Sequence, residues 1–190
     1  KPGADLALEI KKKIFFNPNI YILENHGVIF TSDNLSEIKI LIKKVEKKLK
    51  RRLLTKNIKI KKTDLSDNFI TPKDKIIQIF SKNKKFFEII KKKSLYPDHV
   101  VFLYNKIKCI DNLRKHELTN LSIKENILIV KNFGVFIKRN IKKIEYDMLL
   151  LLAKLLASLP LNAKLKFLNE IEEKKLIIWD KEKYRQKINY

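Results

Sequence analysis

The stretch Ile127-Leu128-Ile129-Val130-Lys131-Asn132-Phe133-Gly134-Val135-Phe136-Ile137 decides how this chain is read, because it echoes an earlier one. That earlier stretch is Ile20-Tyr21-Ile22-Leu23-Glu24-Asn25-His26-Gly27-Val28-Ile29-Phe30. Each joins two short runs of apolar β-formers through an Asn-x-Gly turn, the pattern of a tight hairpin. In both, the glycine permits a positive φ and a sharp reversal. A long amphipathic helix is predicted after each hairpin. After the first, Leu35, Ile38, Ile42, Val45 and Leu49 recur at helical spacing up to about Leu54, and Asn34 with Glu37 makes a capping box. After the second, Ile141, Ile144, Met148, Leu151 and Leu155 recur in the same way, and Pro160 closes the helix. The turns lie 107 positions apart (25 and 132) and the helical stripes 106 apart (38 and 144). The two units, residues 20–54 and 127–159, therefore differ by one deletion in the loop after the glycine. The expected fold is α/β in three layers, a mainly antiparallel central sheet flanked by helices.

Outward from these units, Leu6, Ile10 and Ile14 share one face of a helix over residues 4–15, which Asn17-Pro18-Asn19 ends. Residues 55–71 read as a polar connection. Thr71-Pro72 opens a helix running to about Lys92 that buries Ile76, Ile79, Phe80, Phe87 and Ile90. Tyr96-Pro97-Asp98-His99 is a loop leading into a strand, Val100-Val101-Phe102-Leu103, and Lys106–Ile110 forms another. Residues 111–124 carry the least pattern. Asn162 to about Ile178 is helical in pattern, and Trp179–Tyr190 is a polar, basic tail.

The 190 residues suit one domain, 1–190, and 45% hydrophobic content is enough to bury a core, which excludes a wholly disordered basic tail. Lys1-Pro2-Gly3 leads straight into a helical pattern and reads as a chain entered partway. No signal peptide is visible, which points to the cytoplasm. The longest apolar run, Met148–Leu159, is interrupted by Lys154, so a membrane span is not expected. A single cysteine, Cys109, rules out a disulfide framework and reads as a small buried hydrophobe. The 43 Lys+Arg against 21 Asp+Glu give a net charge of +22, almost all of it lysine. These lysines are spread along the polar sides of helices, with no arginine-aromatic cluster and no zinc-finger spacing. Solvated faces account for them better than a nucleic-acid surface, which would reveal itself by strongly salt-dependent binding.

At the centre of the first turn stands His26, and at the matching place in the second stands Phe133. An imidazole held by a strand end and a tight turn has a fixed direction, which suits a metal ligand. A phenylalanine there can only pack. One copy can thus carry chemistry while the other is structural.

Several pieces together resemble the class II aldolase/adducin family, in particular the aldolase portion of bifunctional proteins joined to a short-chain dehydrogenase and associated with rhamnulose-1-phosphate-type chemistry. They are Pro2-Gly3-x-x-Leu6-Ala7, Leu23-Glu24-Asn25-His26-Gly27-Val28-Ile29-Phe30 with the Asp33 loop, and Pro97-Asp98-His99-Val100. Val130-x-x-x-Gly134-Val135-Phe136 and Trp179-Asp180-Lys181-Glu182-Lys183 complete the set. The resemblance implies a divalent metal, usually zinc, held by three histidines. Two would come from a His-x-His pair upstream of Lys1 and the third is His26. It also puts the catalytic acidic residue upstream, so no catalytic residue is assigned on this chain. Glu24, Asn25, Gly27 and His99 are candidates for the surroundings of the metal or the substrate side. The residues themselves read more simply, Glu24 as a strand cap and His99 as a loop hydrogen-bonder. The implied reaction cleaves a phosphorylated ketose to dihydroxyacetone phosphate and an aldehyde, with the metal as Lewis acid for the enediolate and a carboxylate moving the proton. A homo-oligomer, a tetramer by analogy, is implied as well. The family also contains adducin-like members that keep the fold without the metal and serve in assembly, and a chain carrying one ligand of three leaves that alternative open.

Overall fold

The computed structural model describes residues 3–24, 27–50, 65, 68–92, 94–112, 124–160 and 162–188. The chain divides into two compact units, Lys1–Lys50 and Arg51–Tyr190. Together the described residues form a mixed α/β structure with eight α-helices and two sheets. No helix among them is long and apolar enough to cross a membrane.

In the first unit, α1 (Ala4–Lys13) runs into a single 3-10 turn that Asn17 ends in a left-handed conformation, φ 40°. Strands β1 (Ile20–Leu23) and β2 (Gly27–Phe30) form an antiparallel hairpin, as expected, and α2 (Leu35–Leu49) follows. Asn34 caps α2 by accepting from the Ser36 N–H at 2.8 Å. The capping box itself is replaced: Glu37 accepts from the Ser32 hydroxyl and from Asn19 Nδ2 (3.5 Å) instead of reaching back to the cap. Residues 51–54, the predicted end of this helix, lie outside the described residues, as does most of the connection over 55–71.

The second unit is built on a four-stranded sheet of order β3 (Phe69–Ile70), β6 (Gly134–Lys138), β5 (Ile127–Val130), β4 (Ile107–Ile110). The β3–β6 and β6–β5 pairings are antiparallel and β5–β4 is parallel. One face, Ile127, Ile129, Val135 and Ile137, packs with Ile77, Ile79, Phe80, Phe87 and Leu103 and with Leu149, Leu152 and Leu156 in the main core. The other face, Leu128, Val130 and Phe136 with Phe69, is also buried, in a smaller cluster that includes Leu65 and Ile110.

The helices correct the sequence reading in four places. The single helix predicted to Lys92 is a 3-10 turn (Lys75–Gln78), then α3 (Ile79–Lys82) and α4 (Lys84–Lys92). Asn83 adopts an extended backbone between them and its Oδ1 accepts from the Phe86 N–H at 3.2 Å, restarting the helix. The predicted strand at Val100–Leu103 is instead part of α5 (Pro97–Leu103). Pro97 occupies the first helical turn after an extended Tyr96. His99 to Leu103 are all buried, so a four-residue apolar run carries no periodicity to separate strand from helix. Only Glu170–Ile178 of the segment from Asn162 is helical, as α7, opened by a capping box between Asn169 and Glu172. The basic tail forms α8 (Asp180–Ile188).

The echo between the hairpins holds at the level of backbone pairing. Ile20 faces Phe30 and Ile22 faces Val28; Ile127 faces Ile137 and Ile129 faces Val135. Thr31 N–H donates to the Asn19 carbonyl (3.0 Å), and Lys138 N–H donates to the Asn126 carbonyl (2.9 Å). The helices, however, are offset by 108 positions, since α2 opens at Leu35 and α6 (Lys143–Ser158) at Lys143. The side-chain contacts agree: Asn126 Nδ2 donates to Glu145 Oε2 at 2.8 Å, as Asn19 does to Glu37, and both glutamates are third in their helices. The second unit therefore carries one inserted residue after the glycine, not one deleted. The predicted stripe on α6 is also rotated. Leu149, Leu152, Ala153, Leu156 and Ala157 form the buried face, while Leu151 is 49% exposed.

Beyond the short β3, the backbone of β6 is completed by a side chain. Buried Gln78 donates from Nε2 to the Val135 carbonyl (2.9 Å) and accepts from the Val135 N–H at Oε1 (2.7 Å). Gln78→Ala should lower the unfolding free energy by about 3 kcal/mol, because it strands both backbone groups away from water. Urea unfolding followed by circular dichroism measures this, and a loss below about 0.5 kcal/mol, the level of an ordinary surface substitution, would show that the pairing is not needed.

Candidate functional site

The turn that the resemblance singles out belongs to the first unit. Glu24 follows the last residue of β1 and is exposed; Gly27 opens β2 and is exposed too. Gly27 has φ 145°, a conformation that side-chain-bearing residues rarely adopt, while a Cβ there would meet nothing within 4 Å. Its glycine is thus set by backbone shape and not by crowding. Asn25 and His26 lie outside the described residues.

The matching turn of the second unit is built differently. There the left-handed residue is Asn132, φ 61°, whereas Gly134 is in the ordinary range. A Cβ on Gly134 would stand 3.1 Å from the Phe136 ring, so this glycine answers close packing. Phe133 is 50% exposed, with its ring centroid 5.7 Å from that of Phe136, and so is not the packed plug that the sequence suggests. The turn is pinned to the end of α3. Asn132 N–H donates to the Ser81 carbonyl (2.8 Å), and Lys82 Nζ donates to the carbonyls of Asn132 (2.6 Å) and Phe133 (3.1 Å).

His99 sits in the second unit, buried on α5 and not in a loop. Its Nδ1 accepts from the Leu95 N–H at 3.2 Å, and its ring lies 5.8 Å from that of Tyr96. Burial holds its pKa down at about 4, against an ordinary value of 6.5, so the ring is neutral at pH 7. Its neighbour Asp98 accepts from Arg185 at 3.0 Å. Arg185 also donates to Glu182 (2.8 Å) and lies over the Phe102 ring at 5.5 Å, which ties α8 to α5. The polar residues of the Pro97-Asp98-His99-Val100 motif thus hold elements together here.

Three polar arrangements escaped the sequence reading. Tyr146 donates to Asp74 Oδ2 (2.6 Å) and accepts from the Asp74 N–H (3.2 Å), with its pKa raised to about 12 by burial first and the Asp74 bond second. Buried Glu145 accepts from Asn126, with Lys106 Nζ 3.9 Å away. The Tyr96 hydroxyl is buried without a hydrogen-bond partner among the described residues, and burial pushes its pKa to about 12, helped by the Asp98 charge. No local sequence signal marks them, since their partners lie 19 to 72 positions apart or are missing. Cys109, expected to be buried, is only half-buried where it packs against the core, and burial raises its thiol to about 12.

Among the described residues, no group of three or more His, Cys, Asp or Glu side chains is placed to hold a metal ion. Set against family models, curated proteins and solved structures, the chain matches none of them.

A base whose pKa falls on folding is protonated more readily in the unfolded chain. The stability contributed by His99 is therefore complete above the unfolded value near 6.5 and is lost as pH falls from there through about 4. The full loss is about 3 kcal/mol. Urea unfolding at pH 7.5 and pH 4 should show this slope, and His99→Asn, which keeps an acceptor without titrating, should flatten it. An equal slope in the variant would assign the pH dependence to other groups.

Proposed function

We propose that this chain is a portion of a metal-dependent class II aldolase-type lyase, with the three-layer fold of that family, acting on a phosphorylated ketose to give dihydroxyacetone phosphate and an aldehyde. The observation that supports this reading best is the first hairpin. The Glu24-Asn25-His26-Gly27 segment joins β1 to β2 in the sequence, and Gly27 has a positive φ, which glycine adopts at no steric cost. The order of the other motifs along the chain agrees with it.

The described residues do not by themselves supply the donor set of a catalytic zinc, which takes about three protein ligands and an open position. His26 is proposed as one ligand, with the other two and the acidic residue provided elsewhere in the complete protein, as the resemblance implies. Glu24, Asn25 and Gly27 border that ligand in sequence. His99 is buried on α5 with Nδ1 engaged, which suits a structural part better than a substrate contact. A cytoplasmic homo-oligomer acting on a phosphorylated sugar completes the proposal.

In the complete protein, His26→Ala should abolish stoichiometric zinc, read by elemental analysis after gel filtration, and reduce aldol cleavage at least 100-fold. A His26→Ala variant that retains as much metal as the wild type would remove the assignment. A wild-type protein that takes up no divalent metal would favour the adducin-like, non-catalytic alternative.

A further inference from the structure

The two units use their lysines differently. In the second, Lys82 and Lys138 donate to backbone carbonyls, and Lys91, Lys131 and Lys143 pair with aspartates. On α2 and its C-cap, Lys39, Lys43, Lys44, Lys47, Lys48 and Lys50 are all exposed, and none of their ammonium groups has a hydrogen-bond or ion-pair partner among the described residues. Of the two glutamates on this helix, Glu37 is engaged by Ser32 and Asn19, which leaves Glu46 alone among the lysines. The next acidic residue in the sequence is Asp64. Positive charge is thus both concentrated and unspent on α2. Lys39, Lys43 and Lys47 recur every four residues and form one row, and Lys44 and Lys48 stand in a second beside it. The steps along each row are about 6 Å, and the two rows together span about 14 Å of helix. A nucleic-acid duplex carries about eight phosphates over that length.

We propose that the outward face of α2 binds the phosphate backbone of a nucleic-acid duplex without reading its sequence. The choice rests on charge complementarity and on what the helix lacks. A bilayer would be entered by an apolar face with a basic rim. Here the apolar stripe Ile38, Leu41, Ile42 and Val45 is half-buried, and the face turned to solvent is the lysine face, on which Ile40 stands singly. A single strand is held largely by stacking of its bases on aromatic rings, and no residue of α2 is aromatic. Lysine is a point charge without a planar fork of donors, which suits a backbone of uniform charge density better than the docking of particular carboxylates. The inference goes beyond the aldolase reading and does not depend on His26.

The test is a titration of the full chain with a fluorescein-labelled DNA duplex of about 24 base pairs, followed by anisotropy; the affinity should fall about 100-fold or more between about 50 and 200 mM NaCl. A second duplex of unrelated sequence should bind equally well. Changing four lysines of α2 together (Lys39→Gln, Lys43→Gln, Lys44→Gln, Lys47→Gln) should flatten the salt slope by about 3 and weaken binding about 100-fold at low salt. Glutamine keeps the helix propensity of lysine, and unchanged circular dichroism verifies the fold. The control removes the same charge from exposed positions of the second unit (Lys84→Gln, Lys154→Gln, Lys174→Gln, Lys175→Gln) and should leave the affinity within about threefold, since charges outside the contact are screened. Absence of salt-dependent binding, or equal weakening by the two fourfold variants, would overturn the proposal. So would tighter binding to the single strand, to polyglutamate or to phosphatidylserine vesicles than to the duplex.

Discussion

The backbone of one residue, Val135, sets the terms for the second unit. β6 is longer than β3, so beyond Ile137 no strand among the described residues lies beside its outer edge. A buried strand cannot leave its amide and carbonyl unmet. Gln78 meets both with one planar carboxamide, which fixes the 3-10 turn and α3 against the sheet. From that fixed point the rest follows locally. Ser81 and Lys82 reach the β5–β6 turn, and Asn83 breaks and restarts the helix so that α4 places Phe86, Phe87, Ile89 and Ile90 in the core.

A second constraint explains why the helices after the hairpins do not align as apolar periodicity suggests. Glutamate at the third helical position bonds an asparagine that precedes the first strand, Asn19 in one unit and Asn126 in the other. This fixes the start of the helix against the hairpin base and leaves the loop to absorb one residue. In α6 the apolar residues are so numerous that two stripes can be drawn. Only the packing of Leu149, Leu152 and Leu156 against the sheet selects one of them. A stripe of apolar residues at helical spacing shows that a helix can pack, but not which way it turns.

What was legible in the sequence follows the same division. The hairpins, the strand at residues 107–110 and the long helices rest on local signals, and each stands close to where the pattern puts it. The segment Val100–Leu103 did not declare itself, because complete burial removes the alternation that marks a strand and the spacing that marks a helix. α8 was missed for the opposite reason: it is polar nearly all round, and its place comes from Arg185 and Gln186 gripping Asp98 and the Val101 carbonyl of α5. Of the candidate site, His99 was legible only as a hydrogen-bonding histidine. Its burial depends on α5 being a helix, so the error in the element carried over to the residue.

The lysine excess takes on a different meaning once the contacts are known. Lys82 holds two turn carbonyls, and Lys138 Nζ donates to the Lys124 carbonyl at 2.9 Å. Lys91 and Lys131 both lie over the Phe87 ring and pair with Asp111, whose carboxyl they hold below the usual carboxylate range. Long aliphatic stems cover apolar surface while the ammonium group finds an oxygen or an aromatic face. A lysine spent on a carbonyl or a ring is less available to a phosphate, so the net charge overstates what this surface offers to a polyanion.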